Sequence, residues 1–252
     1  MANLLSFTMK LADISVEVLP LFAATAAFCR DYLTEEAPLF RVETTMGDIA
    51  FEREKSARED ALEGIPTRCF SDEYLETLAV YRQIAERLPK YDTFLFHGSA
   101  IAVDGEGYLF TARSGTGKST HTRLWRQRFG SRAVMVNDDK PLLRVTSQGV
   151  LVCGTPWDGK HRLSSNRSVP LKGICILERG EKNEISPISF RDGYALLLQQ
   201  CYRPADPMAL GKTLSLLEKT GKDVPLYRLR CNMEPEAAQV AYNGMNERKI
   251  GL

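Results

Sequence analysis

Tyr108-Leu109-Phe110-Thr111-Ala112-Arg113-Ser114-Gly115-Thr116-Gly117-Lys118-Ser119-Thr120 is the stretch on which the reading of the whole chain turns. Tyr108 to Thr111 predicts a strand, the glycine-rich run a loop, and His121 to Arg128 a helix. In that setting the backbone N–H groups of Ser114 to Ser119, with Thr116 among them, can curl round phosphate oxygens at a helix N-terminus. Gly115 and Gly117 permit close approach, Lys118 can bridge β- and γ-phosphates, and the Ser119 hydroxyl, beside Thr120, can ligate Mg²⁺. Such a pattern arises by chance in a chain of this length on the order of 1% of the time. A nucleoside triphosphate with Mg²⁺, ATP in the leading reading, is therefore the expected ligand, with adenine against guanine left open. Ala112 stands where many such loops carry glycine, which restricts the entry to the loop but not the cradle.

Upstream, Phe94 to Phe96 and Ala100 to Val103 read as strands, and Asp104-Gly105-Glu106-Gly107 as the turn of a hairpin leading into the loop. His97 sits at the end of the first of these strands, where the plainer reading is a satisfied structural histidine. Downstream, the apolar Ala133 to Val136 ends in Asn137-Asp138-Asp139. A strand ending in two carboxylates beside a phosphate loop offers a metal partner and a base for the attacking hydroxyl, two roles the pair could divide. The plainer alternative is an acidic turn. Strands are also expected at Leu142 to Val145, Val150 to Cys153 and Gly173 to Leu177, the first two joined by a turn at Thr146 to Gly149. A long polar connection runs from Gly154 to Arg167. In it Lys160 or Arg162 could neutralise charge on a transferring phosphoryl group, or simply be solvated, and Trp157 is expected to pack.

His97-Gly98, the hairpin, Ser114 to Ser119 and the Asp138-Asp139 strand end together resemble the catalytic domain of HPr kinase/phosphorylase, a relative of phosphoenolpyruvate carboxykinase, over roughly residues 93 to 180. The resemblance implies an α/β fold, a P-loop kinase core of mixed, largely antiparallel sheet with a hairpin before the loop; the smaller N-terminal α/β region is read from the residues alone. It implies that Lys118 and Ser119 hold nucleotide and metal, that Asp138 is the base toward a serine hydroxyl, that Asp139 supports the metal and that His97 stands near the phosphates or the base. The chain departs from that family at Leu151-Val152-Cys153-Gly154, where an E-V-R-G-like segment would stand, and in its first ninety residues. The implied activity is transfer of the γ-phosphoryl group to a hydroxyl of a protein or peptide. A small-metabolite kinase and a nucleotide-binding regulatory module are the alternatives.

Composition narrows the classes. With 33 Lys and Arg against 32 Asp and Glu, the 252-residue chain has no net field to draw it to nucleic acid or an anionic membrane, and the basic run Arg123, Arg126, Arg128 reads as a solvated helix face. No run is long enough to span a membrane and no secretory leader is evident. Six cysteines without a C-x-x-C pair point to reduced thiols in the cytoplasm, and three histidines without metal spacing argue against a histidine-built metal site. Residues 1–90 are expected to form a small α/β region, with Phe7 to Val18 extended, Phe22 to Leu33 helical, Phe40 to Thr45 extended and a helix over about 72–88. Residues 91–252 carry the loop and end in helices near Tyr194 to Tyr202, Met208 to Thr220 and Glu234 to Asn246, with a strand at Leu226 to Cys231. Oligomerisation is left open.

Overall fold

The computed structural model describes residues 5–113 and 115–247. It divides into two compact units, Met1–Arg87 and Leu88–Leu252. No helix among the described residues is long and apolar enough to cross a membrane.

The first unit contains β1 (Phe7–Leu11), β2 (Ile14–Leu19), α1 (Ala23–Phe28), β3 (Phe40–Glu43), α2 (Met46–Glu63) and α3 (Asp72–Arg87). β1 and β2 pair antiparallel, and β3 adds parallel to β2. The single extended run expected over Phe7 to Val18 is thus a hairpin. Its turn, Ala12-Asp13, takes positive φ at both residues without a glycine to mark it. Within the expected helix Phe22 to Leu33, α-helix covers Ala23–Phe28 and a 3₁₀ turn covers Arg30–Tyr32. α3 buries Leu75, Ala79, Val80 and Ile84 on its apolar face together with Glu76. That carboxylate accepts from the Leu21 and Phe22 amides at 2.5 and 3.1 Å and from the Thr25 and Thr44 hydroxyls at 2.5 and 2.6 Å. Four donors offset the cost of burying its charge.

The sequence pattern predicted no helix at 46–63, because apolar residues do not recur there at helical spacing. Charge holds α2 instead. Thr45 and Asp48 form a capping box at its start and Gly64 ends it with φ of 68°. Arg82 of α3 donates to Glu52 at 2.5 Å and to Asp48 at 2.9 Å, and Arg68 pairs with the buried Asp60 at 2.6 Å.

The second unit contains β4 (Thr93–Leu95), β5 (Ser99–Val103), β6 (Glu106–Thr111), α4 (Lys118–Phe129), β7 (Ala133–Asn137), β8 (Leu142–Thr146), β9 (Gly149–Cys153), β10 (Ser168–Arg179), β11 (Glu184–Ile188), α5 (Phe190–Gln200), α6 (Pro207–Asp223), β12 (Leu226–Cys231) and α7 (Glu236–Asn246). The strands run in the order β4-β8-β9-β10-β6-β5-β7, with β12 also on β10 and β11 on β12. β10 pairs parallel with β6 and β12, and the other pairings are antiparallel. The fold is therefore α/β with a mixed, largely antiparallel sheet. The β5–β6 hairpin closes on Asp104-Gly105 alone, both at positive φ, so Glu106 and Gly107 belong to the strand.

The sheet is covered on both faces. Alternation along β6 sends Leu109 to one side, among Phe94, Phe96, Leu197 of α5 and Leu216 of α6, and Tyr108 and Phe110 to the other, among Trp125 of α4 and Ala238 and Ala241 of α7. β10 is longer than the expected Gly173 to Leu177, because Ser168 to Pro170 pair with β9 and Leu171 already pairs with β6, with a bulge between Leu171 and Gly173 before the run that lies between β6 and β12. Pro187 had hidden β11, which pairs with β12 as an edge strand where proline is tolerated.

Gly154, just after β9, lies where a Cβ would stand 1.9 Å from the Ser165 carbonyl oxygen and 2.7 Å from that of Val136. Both neighbours are backbone and cannot swing aside. Gly154→Ala is expected to destabilise the protein by about 3 kcal/mol or more, since overpacking here must move main chain. An unchanged denaturation midpoint would contradict this close approach.

Candidate functional site

Everything sequence reasoning singled out lies in the second unit. The loop leaves β6 after Thr111 and enters α4 at Lys118, with Gly115 at φ of 72° and Gly117 at 116°. These are conformations L side chains rarely adopt, and a Cβ at Gly115 would meet only open space. Ser114, expected to contribute to the cradle, lies outside the described residues. Arg179 at the end of β10 reaches back and donates to the Gly115 carbonyl at 2.6 Å, strapping the loop from the neighbouring strand. Burial draws the Lys118 ammonium below its ordinary pKa, opposed by the charges of Asp139 and Asp138.

The acidic pair arrives from β7 beside β5. Asn137, fully buried, accepts from the amides of Asp139 and Lys140 at 2.8 and 2.6 Å and donates to the Thr155 carbonyl at 3.0 Å. One side chain thus shapes the turn carrying both aspartates and fixes the start of the 154–167 connection. Asp138 is buried, and its Oδ1 accepts from the Ser99 hydroxyl at 2.6 Å. Ser99 is in turn 2.9 Å from the Thr122 hydroxyl on α4. A carboxylate can only accept, so the Ser99 proton goes to Asp138 and Ser99 is left to accept from Thr122. Asp139 lies 3.4 Å from the Nε2 of His97. Burial alone would raise the Asp139 pKa, but hydrogen bonding from His97 and the charges of Lys140, His97 and Lys118 hold it below the usual carboxylate range.

Two cavities flank the loop and share Gly115, Gly117 and Thr120. One, of about 550 Å³, gathers His97, Lys118, Ser119, Asp138, Asp139 and Lys160 with Arg123, Arg126 and His161. The other, of about 520 Å³, is lined by Thr116, Leu124, Leu177, Arg179 and Met233. Arg162 is not among the residues lining either cavity. Its guanidinium lies 3.8 Å from Asp158, with the backbone at φ of 51°. Asp158 went unnoticed in the sequence. Burial raises its pKa despite a 2.9 Å hydrogen bond from Ser164 and the nearby Arg162.

His121 does not face solvent with the arginines of α4. Its Nε2 accepts from the Trp125 indole at 3.0 Å, its ring packs on Phe110 at 4.6 Å, and burial pushes its pKa down to about 3, so it is a neutral core residue. Trp157 is buried, as the sequence predicts. Among the described residues no group of three His, Cys, Asp or Glu could by itself hold a metal. Ser119 and Asp139 both line the first cavity, and oxygens of this kind could share a cation completed by phosphate and water, the usual habit of Mg²⁺.

Residues 71–236 match the family model of the SynChlorMet cassette protein ScmC. The chain belongs to the ScmC family. Among solved structures, this ScmC-family chain is similar to the Hpr(Ser) kinase/phosphatase from Coxiella burnetii at 11% identity and a TM-score of 0.32, over 59% of this chain and 94% of that one. No curated protein matches the sequence.

Ser99 and Thr122 carry no motif, and only the spatial meeting of β5, β7 and α4 reveals them. Ser99→Ala is expected to cost about 1–3 kcal/mol by leaving Asp138 short of a buried donor. Combined with Thr122→Val in a double-mutant cycle it should show coupling of at least about 0.5 kcal/mol in chemical denaturation. Strict additivity would contradict the chain of hydroxyls. For Asp139, a depressed folded-state pKa means stability fully present above the unfolded value of about 3.9 and lost as pH falls through the folded one. Asp139→Asn should therefore flatten the fall of Tm below about pH 4, and an unchanged acid limb would contradict the arrangement.

Proposed function

We propose that this protein is a Mg²⁺-dependent phosphotransferase that moves the γ-phosphoryl group of ATP to a hydroxyl on a protein, peptide or small molecule. The observation that carries the reading is the convergence of the phosphate loop, Lys118 and a fixed Asp138 carboxylate on one cavity. Phosphoryl transfer asks of a protein mostly positioning and charge, which is what these groups are suited to supply.

In this reading the backbone amides of the loop and Lys118 hold the β- and γ-phosphates, with the nucleoside toward the more apolar cavity beside Leu124 and Leu177. Ser119 and Asp139 would hold Mg²⁺, which when bound neutralises charge on the phosphate oxygens. Asp138, oriented by Ser99, accepts the proton of the acceptor hydroxyl as its oxygen attacks phosphorus. The bond to the bridging β–γ oxygen breaks and ADP leaves. Lys160 lines the acceptor side and is placed to meet charge on the transferring group. Arg162 would need to leave Asp158 to do the same. His97 acts on Asp139 and so on the metal site, not on the acceptor. The activity is assigned to the second unit.

Saturation with Mg²⁺ and ADP at ~100 times Kd should stabilise the wild type by about 2.7 kcal/mol, and Lys118→Ala should abolish most of the resulting Tm shift. Asp138→Asn should keep that shift while loss of γ-phosphate from ATP, to water or to hydroxyl acceptors, falls by roughly 10²–10⁴-fold. Lys160→Ala should lower the rate with nucleotide affinity within a few-fold. A nucleotide-induced shift with no transfer to any acceptor, in wild type and variants alike, would make the protein a regulatory nucleotide binder. No shift with any nucleoside triphosphate would overturn the phosphate-loop reading itself.

A further inference from the structure

We infer that the acceptor is an anion: that Arg123 and Arg126 of α4, beyond the phosphate loop, form a subsite for a carboxylate or phosphate group carried by the molecule whose hydroxyl is phosphorylated. The inference rests on the transferase reading and names the substrate class of that same site.

Both arginines line the loop's polar cavity, and neither lines the apolar one. Arg123 and Arg126 are three residues apart, so they share one face of α4 as like charges that repel one another. Neither has an ion pair or side-chain hydrogen bond among the described residues. α4 holds no carboxylate that could pair them, since it reads KSTHTRLWRQRF. By contrast Arg128, on the same helix but outside the cavity, donates to Gln239 at 2.8 Å.

Position along the helix separates this pair from the phosphate machinery. A rise of 1.5 Å per residue puts Arg123 about 8 Å and Arg126 about 12 Å past Lys118 along the axis. The loop amides and Lys118 already serve the β- and γ-phosphates at the helix N-terminus. The arginines and Lys160 line the same cavity as Asp138, the base of the proposed transfer, and are therefore assigned to the acceptor. The two carboxylates there are engaged elsewhere, Asp138 by Ser99 and Asp139 by His97. Both arginines are exposed on the cavity lining with no protein partner among the described residues, so a carboxylate or phosphate can take their paired N–H donors without breaking an internal ion pair. A neutral hydroxyl compound would form no charge-assisted bonds with them and would leave both to water.

The test uses the full chain with its loop filled by Mg²⁺ and a non-hydrolysable ATP analogue, titrated by calorimetry with inorganic phosphate and, separately, with glycolate. At least one of the two anions should bind at one equivalent, and Arg123→Gln with Arg126→Gln should weaken it on the order of tenfold or more. Affinity for the analogue should stay within a few-fold, and Arg128→Gln should change neither. Tighter binding of glycolate assigns the subsite to a carboxylate, and tighter binding of phosphate to a phosphorylated acceptor. The inference is overturned if neither anion binds with the analogue in place, if the double variant binds as well as wild type, or if Arg128→Gln weakens binding equally. Failure of the analogue itself to bind is a different result, and it removes the nucleotide reading on which the subsite rests.

Discussion

The Ser99 hydroxyl, buried between the Asp138 carboxylate and Thr122 of α4, is the contact on which the arrangement of the site depends. It joins three elements that are far apart in the chain: the first strand of the hairpin, the strand that ends in the acidic pair, and the helix that begins at the glycine-rich loop. Because the bond is withdrawn from water, Asp138 cannot shift without stranding a buried donor or acceptor, which costs more than the bond itself contributes. The position of the carboxylate relative to the first turn of α4 is thereby set by the core and not by the loop.

Two further constraints make that possible. Asn137 binds the amides of Asp139 and Lys140 on one side and the Thr155 carbonyl on the other, so the acidic turn and the polar connection move together. α4 is anchored through Trp125, whose indole donates to His121 while its ring packs against Tyr108 and Phe110 of β6. The strand that launches the loop and the helix that receives it are clamped to each other by aromatic contact. The loop itself can then be mostly glycine and backbone.

Local chemistry made part of this visible in the sequence. The hairpin announced itself through Asp104-Gly105 and the loop through its glycines and Lys118, because positive φ and phosphate contact demand particular residue types. α3 was legible from its apolar spacing. α2 was not, since Arg82 holds it by reaching Glu52 and Asp48, and ion pairs across helices leave no periodic trace. The Ala12-Asp13 turn lacked the glycine that would have split β1 from β2. Within the site, Asp138 and Asp139 could be picked out from their strand end, but Ser99, Thr122 and Asn137 are ordinary polar residues until tertiary contact gives them partners. Likewise nothing in Gly154 to Arg167 indicates that Lys160 lines the cavity while Arg162 turns to Asp158.

The central claim is that the loop divides a nucleoside side from a transfer side, with Asp138 fixed on the latter. A crystal structure of the protein with Mg²⁺ and a non-hydrolysable ATP analogue tests it most directly. The account predicts the base and ribose against Leu124, Leu177 and Met233, the triphosphate over Gly115 to Ser119, and Asp138 still bonded to Ser99 and facing the γ-phosphate across space open to an acceptor. A nucleoside lying instead between Arg123 and Lys160, or an Asp138 that leaves Ser99 to point away from the γ-phosphate, would contradict it.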